Sequence, residues 1–121
     1  MVDANQVFNR NEALRRGRVY QEMGCFWYEE PLMPHEMDGY RELADKLDIR
    51  IATGENLYTK YQFAELINKR GADVVQPDNR RAGGSATVGF TFCAKANVSC
   101  GSGSSLNRAG YRAWRRRKPR R

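Results

Sequence analysis

Residues 38–56 read "DGYRELADKLDIRIATGEN", and this stretch decides the fold. Tyr40, Leu43, Ala44 and Leu47 stand at i, i+3, i+4 and i+7 behind Asp38, the spacing of an apolar helix face behind an N-cap. "IRIAT" follows as a short apolar strand and ends in Gly54-Glu55-Asn56. A helix therefore hands directly to a strand whose far end carries a carboxylate.

The same cycle appears on both sides. Upstream, "NEALRRGRVYQEMG" gathers Ala13, Leu14, Gly17, Tyr20 and Met23 on one helical face, with Asn11 as N-cap and Gly24 as stop. "CFWY" then reads as a strand covered on both faces and ends in Glu29-Glu30. Downstream, Thr59 with Gln62 three residues on predicts a capping box, Phe63, Leu66 and Ile67 supply the apolar face, and Gly71 stops the helix. "ADVVQPD" is the next strand, and "MVDANQ" fits the tail of an earlier one ending near Asp3. Strands and helices alternate from Met1 to Asp78, which argues for an α/β fold with parallel strands joined through helices.

The chain has 121 residues, 40% of them hydrophobic, enough for one small domain with little surplus core. Its net charge of +7 suggests a nucleic-acid partner only until the charges are placed. Residues 1–84 hold 12 Lys and Arg against all 14 Asp and Glu, whereas residues 85–121 hold the other 9 basic residues and no acid. The basic character belongs to the tail alone, so a nucleic-acid partner is not expected of the folded part. Cys25, Cys93 and Cys100 form no C-x-x-C pair, so neither a disulfide framework nor a zinc site is signalled. No apolar run reaches the roughly 18 residues of a membrane span, and the N-terminus lacks a signal-peptide layout. A reduced, cytoplasmic setting and no membrane partner are expected.

In parallel α/β sheets and barrels, sites gather at the C-terminal strand ends. Asp3, Glu29, Glu55 and Asp78 occupy four such ends in succession. Carboxylates crowded into one mouth repel and need a compensating cation. Mg²⁺ suits them, taking oxygen ligands at about 2.1 Å and keeping positions for water or substrate. Asp3, Glu29 and Glu55 are the three candidate ligands.

"MVDANQ", "WYEEPL", "IATGEN" and "VVQPDNRRAGG", in that order and at those separations, resemble the mandelate racemase and muconate-lactonising branch of the enolase superfamily. The likeness covers residues 1–84. It implies a partial (β/α)8 TIM-type barrel, about strands 3 to 6 with their helices, in which Asp3, Glu29 and Glu55 bind Mg²⁺. It further implies that Asn5 approaches substrate or metal-bound oxygens, and that Asp78 is the acid of a dyad whose histidine comes from a later strand. The activity implied is proton abstraction α to the carboxylate of a hydroxy acid or sugar acid, by a racemase or dehydratase, and full-length relatives are expected to be homo-oligomers. Glu30 is read as supporting the turn into Pro31, His35 as a loop residue, Lys60, Arg80 and Arg81 as surface charges, and Trp27 and Tyr28 as core and rim aromatics.

The chain also departs from that pattern. The family's capping domain and second-strand lysine region have no counterpart in it, and "SATVGFTFCAKANVSCGSGSSLNRAGYRAWRRRKPRR" after Gly84 shows no helix face, acid or histidine. Residues 85–121 are read as a non-matching, disordered basic tail, either translated out of frame or able to grip phosphates through Tyr111, Trp114 and the arginines. A partial barrel leaves edge strands and apolar helix faces uncovered, so the isolated chain is expected to be marginally stable, aggregation-prone and inactive.

Overall fold

The computed structural model describes residues 1–78, 80–82 and 99–100. Alternating elements build one parallel sheet in the order β1 (Val2–Asp3), β2 (Trp27–Glu29), β3 (Arg50–Thr53), β4 (Val74–Val75) and β5 (Ser99–Cys100). Three helices, α1 (Arg10–Glu22), α2 (Met37–Lys46) and α3 (Lys60–Asn68), connect the first four strands. This is the α/β, partial-barrel arrangement expected from the sequence. The strand β5 is an addition, since the sequence reading ends the strands at "ADVVQPD"; the rest of the expected disordered basic tail lies outside the described residues.

Register divides the sheet into two faces. Tyr28 pairs with Ile51 and Thr53 with Val75, placing these four on one side. That side meets the helices: the Tyr20 ring of α1 stands edge-on to Tyr28 at 5.2 Å between centroids, and Tyr40 of α2 accepts a hydrogen bond from Thr53 Oγ1 at 3.2 Å. Phe63 and Leu66 of α3 complete this layer with Leu43, Leu47 and Ile51, all buried. The opposite face begins with the cross-strand row Asp3, Glu29 and Ala52.

"CFWY" is less buried than its composition predicts. Only Tyr28 is fully enclosed, while Phe26 is 43% exposed and stacks beneath the Arg50 guanidinium. The strand itself starts at Trp27 and takes Glu29 as its last residue. Among the described residues the Tyr28 hydroxyl is buried without a hydrogen-bond partner, and burial holds its pKa well above the tyrosine norm. An unsatisfied buried hydroxyl costs about 1–3 kcal/mol. Tyr28→Phe is therefore expected to raise stability by about 1 kcal/mol in urea denaturation, and a loss of stability would show that the hydroxyl is bonded.

Helix ends follow the sequence in kind but not always in position. The capping box of Thr59 and Gln62 is present. The N-cap of α1, however, is Asn9 rather than Asn11, because Asn9 Oδ1 accepts from Glu12 N at 3.0 Å. The N-cap of α2 is Glu36, with no side-chain cap bond, and Asp38 is drawn instead to Lys69 Nζ at 2.8 Å. α1 ends at left-handed Gly24, φ 71°, with Gly24 N bonded to Gln21 O and Cys25 N to Tyr20 O, a Schellman closure. α3 closes the same way, with Gly71 N on Leu66 O, but its left-handed residue is Arg70, φ 54°. Gly71 is needed for space instead: a Cβ there would stand 3.0 Å from both Leu66 Cδ1 and Tyr40 Cβ.

Candidate metal centre

Backbone geometry changes abruptly where the strands end. Asn5 and Gln6 after β1 have φ of 47° and 64°, Glu30 after β2 has 40°, and Gly54 after β3 has 131°. Of the four described non-glycine residues with positive φ, three thus lie at adjacent strand ends. Such conformations cost about 1–3 kcal/mol each and persist where surrounding contacts hold them. Those contacts are on hand: Ala4 N donates to Glu29 O at 2.9 Å, Gln6 N to Glu30 O at 2.7 Å, and Glu30 N to Ala52 O at 2.9 Å. Glycine is required at position 54, where a Cβ would press to 3.2 Å from Gln76 N.

These turns bring the candidate acids to one edge of the sheet. Asp3 and Glu29 are direct cross-strand partners, and Glu55 follows β3 by two residues. Asp3 Oδ1 accepts from Asn5 N at 3.0 Å. Glu29 receives Trp27 Nε1 on one oxygen at 2.9 Å and Gln76 Nε2 on the other at 2.8 Å. Asp3 and Glu55 are exposed and Glu29 is half-buried; the pKa of Glu55 is raised by desolvation first, then by the charges of Glu30, Glu29 and Asp3, with Arg81 opposing. Glu55 therefore stands within the field of the other three carboxylates.

Glu30 is more than a turn support. It is 2% exposed, and its carboxylate accepts from Gln6 Nε2 at 2.7 Å and from Asn56 Nδ2 at 3.0 and 3.2 Å. Asn56 Nδ2 also lies 3.4 Å from Glu55 Oε1, and Asn56 Oδ1 accepts from Arg81 Nη1. Gln6, Asn56 and Gln76 are neighbours of the candidate site given no role from the sequence, while Glu30, expected to support a turn, and Trp27, expected as a core or rim aromatic, each bond within it. A polar or hydrogen-bonding residue within three positions of each strand-end acid was the available signal.

The remaining candidates lie around this cluster. Asp78 follows β4; its Oδ1 accepts from Arg80 N at 2.8 Å, and its Oδ2 is 3.7 Å from Arg81 Nε. Arg81 is thus no free surface charge, since it spans Asp78 and Asn56 and lies over the Tyr58 ring. His35, the chain's one histidine, is exposed in the loop between β2 and α2, and Lys60 opens α3 in solvent.

The donor set suits a hard divalent cation: carboxylates only, from neighbouring strand ends, mutually repelling. The buried Gln76 Oε1, without a partner among the described residues, adds a spare oxygen beside Glu29. The acids stand apart, however, held by amide, indole and main-chain donors. Among the described residues no three acidic, imidazole or thiol groups are grouped closely enough to hold one ion. A cation would have to draw Asp3, Glu29 and Glu55 inward from those donors.

A parallel βα sheet with acids and left-handed turns at its C-terminal strand ends defines a barrel-type α/β protein with the candidate site on that edge. The family model for the enolase C-terminal domain-like family matches residues 1–109, and the chain belongs to that family. It is 44% identical over 84 residues to L-talarate/galactarate dehydratase of Salmonella typhimurium, covering 69% of this chain and 21% of the relative. It is 40% identical over 83 residues to arabinonate dehydratase of Saccharolobus solfataricus, covering 69% and 22%. L-Talarate dehydratase from Polaromonas sp. JS666, solved with Mg and L-glucarate, superposes with a TM-score of 0.79 at 35% identity over 83% of this chain and 28% of that one. The chain thus spans about a fifth of the length of these curated relatives. No helix among the described residues is long and apolar enough to cross a membrane.

Proposed function

We propose that this chain is the metal-binding part of an acid-sugar dehydratase or racemase of the enolase superfamily, acting on a hydroxy acid or sugar acid. Asp3, Glu29 and Glu55 would hold Mg²⁺, Asn5 would approach the substrate oxygens, and Asp78 would be one half of an acid/base dyad. The observation that carries this reading is the row of carboxylates at three adjacent strand ends, each within three residues of a backbone position with positive φ: Asn5 and Gln6 after Asp3, Glu30 after Glu29, and Gly54 before Glu55. The dehydratases among its relatives support the reaction class.

Bound Mg²⁺ supplies a fixed positive charge that favours negative charge developing on a substrate carboxylate. The chain's own residues supply the frame. Trp27 and Gln76 orient Glu29 through both of its oxygens, the Asn5 main chain fixes Asp3, and Gly54, with φ 131°, supplies the turn that leads into Glu55. Asp78 is oriented by the amide of Arg80, which leaves its second oxygen toward Arg81.

Calorimetric titration of the chain with Mg²⁺ tests this reading. Glu55→Gln keeps the shape of the side chain and removes its charge, and it should weaken binding by at least roughly 100-fold, the upper end of what loss of an outer-sphere partner costs. Equal Mg²⁺ affinity in the parent and in Glu55→Gln, or no uptake by the parent, would overturn it.

A further inference from the structure

The link between Asn56 and Arg81 joins two parts of the site that the sequence keeps 25 residues apart. On one side, the Asn56 amide nitrogen donates to both oxygens of buried Glu30 and reaches Glu55. On the other, the Asn56 amide oxygen accepts from Arg81. Arg81 belongs to a turn wound around Asp78: Arg81 N and Ala82 N both donate to Asp78 O, at 3.1 and 2.8 Å. An amide that accepts from a fixed guanidinium has its plane set, so its nitrogen must face the carboxylates. Were Asn56 free to rotate, the same amide could present its oxygen to Glu30 and Glu55 instead and repel them.

We propose that Asn56 is a positioning residue, held in its amide orientation by Arg81, which couples the turn around Asp78 to the carboxylate cluster and so sets the cluster's affinity for Mg²⁺. The inference rests on the metal-site reading above and adds a residue and a route of coupling to it. It also conflicts in sign with simple electrostatics. A guanidinium beside the cluster repels a divalent cation, so on charge alone its removal should tighten Mg²⁺ binding. On the positioning account its removal frees the Asn56 amide and weakens binding, by roughly 10-fold as for other outer-sphere partners.

The test is a double-mutant cycle on the full chain with Asn56→Ala, Arg81→Gln and the pair, read by Mg²⁺ calorimetry and, without metal, by urea midpoints. Each single variant is expected to weaken Mg²⁺ binding by roughly 10-fold, with the pair no weaker than either alone, because both act through one bond. Arg81→Lys, which retains charge but not the planar fork, should also weaken binding. Tighter or unchanged binding by Arg81→Gln, or losses that multiply in the pair, would overturn the proposal. Coupling that appears in the urea midpoints but not in Mg²⁺ affinity would also overturn it, by showing a purely structural bond. If the parent takes up no Mg²⁺, the metal-site reading and this inference fall together; if binding needs Glu55 but ignores Asn56 and Arg81, only this inference falls.

Discussion

Phe63→Ala is expected to remove about 3–5 kcal/mol of stability, the usual cost of emptying a buried aromatic site. Phe63 is 1% exposed and is the main anchor of α3 on the sheet. Its ring edge lies 3.3 Å from where a Cβ on Gly54 would be, so it fills the space directly beneath the turn that presents Glu55. Folded domains hold about 5–15 kcal/mol in all, and a short sheet of two- to four-residue strands has little to spare. With a urea slope of about 1–3 kcal/mol per molar, the midpoint should fall by more than about 1 M, or the cooperative transition should vanish. Phe63→Leu, which retains most of the volume, should keep a clear transition. A shift below about 0.5 M for the alanine variant would mean that α3 is not held to the sheet through this ring.

Glu30→Ala should be the second most damaging change, costing about 2–3 kcal/mol. Hydrogen bonds to charged groups contribute about 1.5–3 kcal/mol each, and this carboxylate receives two side-chain amides, from Gln6 and Asn56, of which the Asn56 amide retains only its longer contact to Glu55. Alanine relieves none of the strain at φ 40°. Part of the loss is offset because Glu30 is the foremost charge raising the pKa of Glu55. The offset gives the prediction a pH signature. In the parent, Glu55 binds its proton more tightly folded than unfolded, so its contribution favours folding at acid pH and is lost as pH rises from the ordinary carboxylate range through the raised value. In Glu30→Ala that fall should shrink, so the variant's deficit should be larger at acid than at neutral pH. A deficit independent of pH would indicate that Glu30 and Glu55 do not sense each other.

The element order and the strand-end acids could be read from the chain because both rest on local pattern. Thr59 and Gln62 cap α3 within four residues, and Tyr40, Leu43 and Leu47 bury the helix face that their spacing marks. What could not be read depends on partners distant in sequence. Asp38 has the chemistry of an N-cap, but Lys69, 31 residues on, takes its carboxylate. Asn9 and Asn11 offer the same capping amide, and only the position of Glu12 N separates them. Glu30 looked like the lesser of two adjacent acids, because Gln6 and Asn56, its partners 24 and 26 residues away, meet only after three strands have paired. Arg70 occupies a conformation usually left to glycine, because Gly71 is committed to the close contact between α2 and α3. The metal-ligand roles proposed for Asp3, Glu29 and Glu55 rest on their strand-end positions and on the family pattern, and Mg²⁺ titration tests them.

The strand order in the sheet is the order of the strands in the chain, and this governs how the sheet can assemble. Every pairing joins residues between 22 and 26 positions apart. Closure entropy grows only with the logarithm of that distance, so the steps differ by about 0.1–0.2 kcal/mol. No seam must wait for a remote segment, and none is favoured by proximity. The sequence of events then falls to burial, which is greatest where Tyr28 meets Ile51, both wholly enclosed. That seam joins the two strands that lead into Glu29 and Glu55, so the backbone carrying these acids is the natural nucleus on which the neighbouring units add.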